Sequence, residues 1–194
     1  MADVPLLGVL ISGRGSNLKA IIDAIGQQRL GARIAVVIAN RADAPGLAYA
    51  RAAGVETLVI SHKGYASREA YDAVLVKELQ SRAVTLVCLA GFMRLLSPVM
   101  VNAFPDRILN IHPSLLPKYP GLHPQQQALD DGATESGATV HVVNNDLDAG
   151  PIVLQRRVPV LPGDTADTLA ARILEVEHQL YPDAIAAVLD RVAR

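Results

Sequence analysis

Short apolar runs rich in β-branched residues alternate with longer segments of helical period through about residue 113. Nearly uninterrupted apolar runs are typical of parallel strands buried on both faces, and the longer segments have the pattern of covering helices. We therefore predict a doubly wound α/β unit. Its strands are predicted in PLLGVLIS, RIAVVIAN, ETLVIS, TLVCLA and RILNIHP, and its helices in NLKAIIDAIGQQ, LAYARAAG, SREAYDAVLVKELQSRA and SPVMVNAF.

The pattern changes after residue 113. The segment PSLLPKYPGLH is too rich in proline for a helix and predicts an ordered surface loop. A short helix, QQQALDD, is expected next, then two strands, HVV and IVLQRRV, joined by the turn-rich NNDLDAG. Polar and apolar residues alternate around Gln155 and Arg157, which predicts a half-exposed edge strand. A long amphipathic helix, capped by Asp164 or Thr165 and interrupted at Pro182, is predicted to follow.

Composition narrows the class of protein. The 194 residues are 51% hydrophobic and 19% charged, enough apolar material for the core of one large domain. Lys and Arg total 18 against 19 Asp and Glu, so the chain lacks the overall basic charge of a nucleic-acid binder. No apolar stretch approaches the roughly 20 residues of a membrane span, and we expect no signal peptide. The single cysteine, Cys88, is expected to be a buried thiol in a cytoplasmic protein.

A glycine turn, SGRGSNL at residues 12–18, joins the first predicted strand to the first helix. Such a turn presents backbone N–H groups and the positive end of the helix dipole to an anion. The segment lacks the third glycine of the dinucleotide fingerprint and the Gly-Lys-Ser/Thr of a Walker loop, and the second strand ends at Asn40 rather than at an acid. We therefore predict a mononucleotide-like phosphate site. The alternative is a tight turn in which Ser16 or Asn17 merely caps the helix.

Asn110 and His112 lie at the end of the fifth predicted strand, at the edge where open α/β sheets bind ligands. Residues two apart on a strand project to the same side, so an amide donor and an imidazole come together. This pair suits a developing oxyanion and a proton transfer. Asp146 and Asp148 follow in a turn, and a carboxylate folded back toward His112 would orient its ring and favour the charged form. The alternatives are a structural histidine and solvated turn carboxylates.

Other candidates are weaker. The segment GFMRLLSP, residues 91–98, follows the fourth strand and predicts either an apolar wall for a flat heteroaromatic ligand or ordinary core packing. A zinc site built from His112, His123 and Asp148 lacks compact ligand spacing, so no metal is expected. A Ser-His-Asp hydrolase is disfavoured because no GxSxG elbow is present. The other histidines are interpreted as surface or packing residues: His62, His141 and His178.

A resemblance to a known family rests on six segments in order: ISGRGSNL, SREAYD, LAGFMRLLSP, NIHPSLLPKYPGLH, HVVNNDLDAGPI and EVEHQLYP. They resemble the phosphoribosylglycinamide formyltransferases, a branch of the folate-dependent formyltransferase superfamily with a Rossmann-like fold, and cover nearly the whole chain. The segments NIHPSLLPKYPG and DAGPI point to the superfamily, while GSNL and YPGLH point to this branch. The resemblance implies formyl transfer from 10-formyltetrahydrofolate, as co-substrate, to the amine of glycinamide ribonucleotide, without a metal.

The resemblance also implies roles for individual residues. The catalytic residues would be Asn110, His112 and Asp148. The phosphoribosyl substrate would be bound by Gly15, Ser16, Asn17, Leu18, Lys19, Arg68 and Glu177. The folate would be bound by Met93, Arg94, Leu95, Leu96, Asn144, Asn145, Asp146, Leu147 and Asp148. A single domain, residues 1–194, would contain a phosphoribosyl-binding half, about residues 1–105, and a catalytic and folate-binding half, about residues 106–194.

Three alternative functions remain open at this point. A formyltetrahydrofolate hydrolase would use water instead of the amine, but the glycine turn and Arg68 argue against it. A non-catalytic folate or nucleotide binding module has no need for Asn110, His112 and Asp148 together. A methionyl-tRNA formyltransferase would need a basic RNA-binding appendage. We expect small-molecule substrates, no nucleic-acid or membrane partner, and a monomer or weak homodimer.

Overall fold

A computed structural model describes residues 4–192. The strands are β1 (Leu6–Ile11), β2 (Arg33–Ala39), β3 (Thr57–Val59), β4 (Leu86–Leu89), β5 (Ile108–His112), β6 (Glu135–Val142) and β7 (Ile152–Pro159). The helices are α1 (Ser16–Gly26), α2 (Leu47–Ala52), α3 (Arg68–Gln80), α4 (Pro98–Ala103), α5 (Pro124–Asp130) and α6 (Ala166–Val192). Most elements fall within or around a segment predicted from the hydrophobic pattern. The exception is β6, predicted only at HVV, residues 141–143: it begins at Glu135 and ends at Val142, because pairing with β5 and β7 extends it beyond that short apolar run.

The strands form one seven-stranded sheet in the order β3-β2-β1-β4-β5-β6-β7. Neighbours from β3 to β5 pair in parallel, whereas β6 runs antiparallel to both β5 and β7. The predicted fold class is confirmed: a doubly wound, mostly parallel sheet with an antiparallel strand near its C-terminal end and a long final helix. The strand order reverses between β1 and β4, which is where sheets of this type bind ligands.

The sheet separates two apolar clusters, one on each face. One cluster packs β-strand side chains against α1, α2, α5 and α6, and the other packs them against α3 and α4. Cys88 belongs to the first cluster and is fully buried. Burial raises the pKa of its thiol, so Cys88 is an unreactive core residue, as predicted.

Helix α6 differs from its prediction in one respect. Thr165 caps it by accepting a hydrogen bond from the Thr168 N–H at 3.2 Å, as expected, but the helix continues through Pro182 to Val192. The predicted interruption is therefore wrong. Pro182 removes one backbone donor, yet it is buried and follows the fully buried Tyr181, so packing on the sheet holds both halves in line. No helix within residues 4–192 is both long and apolar enough to cross a membrane.

Tyr181 connects α6 to the sheet by hydrogen bonds, and removing its hydroxyl should destabilise the protein. Its hydroxyl lies 2.9 Å from the Leu89 carbonyl oxygen and 3.0 Å from that of Leu109, and donates its proton between them. Tyr181→Phe should lower the free energy of unfolding by about 1–3 kcal/mol, because the two carbonyl oxygens stay buried but lose their hydrogen-bond donor. Urea denaturation measures this. Tyr49→Phe is the control, since Tyr49 is 40% exposed; equal effects would contradict the prediction.

Candidate active site

The glycine turn after β1 is held rigidly against the loop that precedes α2. Gly15 is the N-cap of α1 with φ of 72°, and the Gly46 N–H donates to the Gly13 carbonyl at 3.0 Å. A Cβ on Gly15 would lie 2.6 Å from the Gly46 Cα, so this position requires glycine for space as well as for backbone conformation. No side chain caps α1, which excludes the predicted alternative in which Ser16 or Asn17 served only as a cap.

The first turn of α1 has N–H groups available for a ligand. Its first intrahelical bond runs from the Lys19 N–H to the Gly15 carbonyl at 2.9 Å, which leaves the preceding helical N–H groups without an intrahelical acceptor. Free N–H groups and the positive end of the helix dipole together favour an anion. The turn therefore has the local structure predicted for a phosphate site.

A cavity of about 950 Å³ opens beside this turn. It lies where the strand order reverses between β1 and β4, and one face of α6 forms its far side. The wall residues are Ser12, Gly13, Arg14, Gly15, Ser16, Asn17, Asn40, Arg41, His62, Ala90, Gly91, Met93, Arg94, Ile111, Pro113, Gln125, Asp167, Ala170, Ala171, Leu174 and Glu177. Its volume is in the usual range for a site that holds a small molecule.

Two buried side chains, Asn17 and Glu177, meet in the cavity wall. The Asn17 Nδ2 donates to the Glu177 Oε2 at 2.8 Å, while the Asn17 Oδ1 is buried with no hydrogen-bond partner among the described residues. Burial raises the pKa of Glu177, and the bond from Asn17 offsets only part of this effect. The pair thus offers oxygen acceptors to a ligand that carries N–H or O–H groups.

His112 is held at both ring nitrogens. Its Nε2 lies 2.8 Å from the Tyr119 carbonyl oxygen, and its Nδ1 lies 3.5 Å from the Asp148 Oδ2. A carbonyl oxygen only accepts hydrogen bonds, so Nε2 carries a proton. The His112 and Asp148 side chains are only 8% and 9% exposed, which strengthens the interaction between them. The structure therefore brings one turn carboxylate back to His112, as the sequence analysis considered.

A second histidine, His141, joins this cluster. Its Nε2 lies 3.6 Å from the Asp148 Oδ1 and 3.3 Å from the Asn110 Nδ2. His141 stands opposite Asn110 in the antiparallel β5–β6 ladder and is only 2% exposed. Of the two alternatives predicted for it, surface or packing residue, its burial supports the second, and it also contacts two of the three catalytic candidates. The sequence alone lacked a signal for this contact, which depends on the register of two strands.

Asp148 stays ionised at neutral pH. Burial alone would raise its pKa, but the contact from His141, the Gly121 N–H at 2.9 Å and the nearby charges of His112 and His141 together lower it below the ordinary value. Asp148 has a φ of 49°, a left-handed conformation that asparagine and aspartate tolerate best among non-glycine residues. This backbone geometry turns the carboxylate back toward the two rings.

The predicted folate residues occupy two loops. The Met93 N–H donates to the Ser12 Oγ at 2.9 Å, which ties the loop after β4 to the glycine turn. In the other loop, the Asn144 Oδ1 accepts from the Asp146 N–H at 3.0 Å. Met93 and Leu147 are 72% and 53% exposed, so both loops present apolar surface. Met93 and Arg94 line the cavity; the remaining predicted folate residues do not: Leu95, Leu96, Asn144, Asn145, Asp146, Leu147 and Asp148.

The catalytic candidates adjoin the cavity rather than line it. Ile111 and Pro113 are in the wall, while Asn110 and His112 project from the other side of β5. The loop of residues 113–123 lies over His112, and its Tyr119 carbonyl oxygen accepts the hydrogen bond of the His112 Nε2. A substrate atom can reach that nitrogen only after this carbonyl has moved.

Several predicted residues lie away from the cavity wall. Leu18 is fully buried in the core, so only its backbone faces the turn. The Lys19 Nζ is 2.5 Å from the Asp23 carboxylate, and Arg68 is exposed at the start of α3. His123 is exposed as the N-cap of α5, and residues 4–192 contain no group of three or more His, Cys, Asp or Glu side chains placed to hold a metal.

Comparison with known proteins assigns the family. The profile of the formyl transferase family matches residues 7–185. The chain belongs to the formyl transferase family. The phosphoribosylglycinamide formyltransferase of Escherichia coli strain K12 is 50% identical over 182 residues, which are 94% of this chain and 86% of that protein. The resemblance found in the sequence motifs is thereby confirmed.

Other members of the formyl transferase family include much longer proteins. The trifunctional purine biosynthetic protein adenosine-3 of Drosophila melanogaster is 51% identical over 189 residues, 96% of this chain but only 14% of that protein. The crystal structure of glycinamide ribonucleotide transformylase 1 from Symbiobacterium toebii matches with a TM-score of 0.94 and 54% identity. That match covers 96% of this chain and 88% of the solved one. The chain thus spans about a seventh of the trifunctional relative and most of the single-function one.

The glycine turn of this formyl transferase gives a second prediction. Gly15→Ala should lower the free energy of unfolding by about 1–3 kcal/mol, because alanine is strained at positive φ and its Cβ would collide with Gly46. Gly13→Ala is the matched control, since nothing lies within 4 Å of a Cβ there. Thermal or urea unfolding of both variants measures the difference. Equal stability of the two variants would contradict the close packing described for Gly15.

Proposed function

We propose that this chain transfers the formyl group of 10-formyltetrahydrofolate to the amine of 5'-phosphoribosylglycinamide. The products would be formylglycinamide ribonucleotide and tetrahydrofolate. The observation that carries the proposal is the cluster of Asn110, His112 and ionised Asp148 at the sheet edge where the cavity opens. The names of the E. coli and S. toebii relatives support the choice of acceptor.

The proposed chemistry needs charge stabilisation and alignment rather than a covalent intermediate or a metal. The substrate amine attacks the formyl carbon, and the carbonyl π electrons move to oxygen to give a tetrahedral oxyanion. Protonated His112 and the Asn110 amide stabilise that oxygen. The intermediate collapses, the C–N bond to the folate breaks, and the folate nitrogen takes a proton while the new amide nitrogen loses one. Asp148, whose Oδ2 lies 3.5 Å from the His112 Nδ1, keeps the His112 ring oriented.

His141 supports the proposed role of Asn110. The Asn110 Nδ2 lies 3.3 Å from the His141 Nε2, and the His141 Nδ1 lies 3.2 Å from the Val142 carbonyl oxygen, which only accepts hydrogen bonds. The ring is thus fixed by β6 and in turn fixes the Asn110 amide. The second Nδ2 hydrogen of Asn110 is proposed to bind the oxyanion.

The phosphoribosyl substrate is proposed to bind in the cavity and the folate beside it. The phosphate would bind the backbone N–H groups of Gly15 to Leu18, and the acceptors of Asn17 and Glu177 would meet the N–H or O–H groups of the phosphoribosyl substrate. The folate would lie between the loop after β4 and the loop of residues 144–148, which is outside the cavity wall. The phosphate set does not include Arg68, which is outside the wall, or the Lys19 side chain, which is paired with Asp23.

One experiment separates this proposal from a formyltetrahydrofolate hydrolase. The protein is incubated with 10-formyltetrahydrofolate, with and without glycinamide ribonucleotide, and deformylation of the folate is followed. A transferase deformylates the folate only when the amine is present. Rapid deformylation that is independent of the amine would make the hydrolase the better assignment.

His112 is expected to be indispensable to turnover. His112→Ala should lower kcat by at least about a hundredfold, because it removes an oxyanion partner and proton donor while leaving the strand intact. Steady-state kinetics measures the loss, and an unchanged melting temperature shows that the variant is folded. A variant with near-normal turnover would remove His112 from the proposed mechanism.

Asp148 is expected to hold His112 in its active orientation. Asp148→Asn keeps the shape but removes the carboxylate that lies 3.5 Å from the His112 Nδ1, so kcat should fall by about tenfold or more. Steady-state kinetics at neutral pH measures the loss, and Asp190→Asn, an exposed carboxylate on α6, is the control. An undiminished kcat in Asp148→Asn would show that the carboxylate does not act through His112.

A further inference from the structure

We propose that Arg14 supplies the positive charge that binds the substrate phosphate. The inference rests on the proposed function and extends it, because the phosphate site described so far uses only backbone N–H groups. A phosphate near neutral pH carries up to two negative charges, and a helix N-terminus contributes only about half a charge. A side-chain cation close to the turn would offset the rest of the phosphate's negative charge.

The other cations near the turn are already engaged or lie elsewhere. Lys19 forms an ion pair with Asp23, and this hydrogen bond raises the pKa of the lysine. The Arg41 guanidinium donates to both oxygens of Asp43, at 3.0 and 2.8 Å. Arg94 belongs to the loop after β4 and lies over the ring of Tyr71, 5.6 Å from its centroid; its Nε is buried with no hydrogen-bond partner among the described residues. Lys19 and Arg41 would have to leave an ion-pair partner to bind an anion, and Arg94 lies in that separate loop rather than in the glycine turn.

Arg14 differs from these cations in position and in partners. It lines the cavity, directly precedes Gly15, and forms no ion pair or side-chain hydrogen bond with any residue from 4 to 192. Its side chain is exposed, so it can reorient toward a ligand without breaking an existing contact. The guanidinium fork matches phosphate oxygens in charge and in bidentate geometry.

The wall of the cavity opposite the glycine turn is one face of α6, and none of its described residues is a cation. It is formed by Ala170, Ala171 and Leu174 together with the carboxyl groups of Asp167 and Glu177. This helix face therefore offers a phosphate no positive charge. Burial raises the pKa of Glu177, which weakens its repulsion of an anion, but Asp167 remains in the wall. The arginines of the cavity wall, Arg14, Arg41 and Arg94, all lie away from α6, and Arg14 is the one that directly precedes Gly15.

The test compares ligands with and without phosphate. Calorimetry measures the Kd of glycinamide ribonucleotide, its phosphate-free riboside and ribose 5-phosphate for the wild type, Arg14→Met and Arg51→Met. Arg14→Met should weaken binding of both phosphorylated ligands by about ten- to a hundredfold, the scale of a lost charge-assisted hydrogen bond, and leave the riboside unchanged. Arg51→Met, an exposed arginine on α2 outside the cavity wall, is the matched control and should change no Kd by more than about twofold. Arg14→Lys should restore part of the loss, since it keeps the charge without the fork.

Three outcomes would overturn the assignment. They are an unchanged Kd in Arg14→Met, an equal loss for the riboside, and no binding of either phosphorylated ligand by the wild type. The melting temperature of each variant verifies that it is folded. Ribose 5-phosphate keeps the test separate from the proposed reaction: a wild type that binds it through Arg14 but does not formylate glycinamide ribonucleotide would refute the proposed function alone.

Discussion

The candidate site depends on one buried carboxylate between two imidazoles. An ionised carboxylate at the position of Asp148 would be costly without partners, and its partners come from separate parts of the chain. His112 belongs to β5, His141 to β6, and the Gly121 N–H to the loop of residues 113–123. Satisfying this single charge therefore fixes the turn that carries Asp148, orders the covering loop and orients both rings.

The sheet topology explains why the glycine turn, the candidate phosphate site, lies close to the candidate catalytic cluster around Asp148. The glycine turn, the loop after β4 and the end of β5 all occur at the carboxyl edge, because β1, β4 and β5 are parallel neighbours. The register of β6 against β5 then places His141 opposite Asn110. The cavity and the cluster are separated only by the last residues of β5.

Local chemistry made much of this arrangement predictable from the sequence. The apolar runs fixed the strands, and the spacing of Asn110 and His112 placed them on one side of β5. The contact of His141 with Asn110 was not predictable, because it depends on the register of β6. The packing of Gly46 on Gly15 and the continuity of α6 through Pro182 likewise depend on tertiary contacts rather than on local preference. Arg68, predicted to bind the substrate from the resemblance and from its position at the start of the helix after β3, lies outside the cavity wall.

The central claim is that the cavity and the Asp148-centred cluster act as one transferase site. The most direct measurement follows the fate of a 13C-labelled formyl group by NMR during a single turnover with 10-formyltetrahydrofolate and glycinamide ribonucleotide. In the wild type, the label should appear as the formamide carbon of the nucleotide product, with no formate. Release of the label as formate, or transfer at an undiminished rate in Asp148→Asn, would contradict the claim.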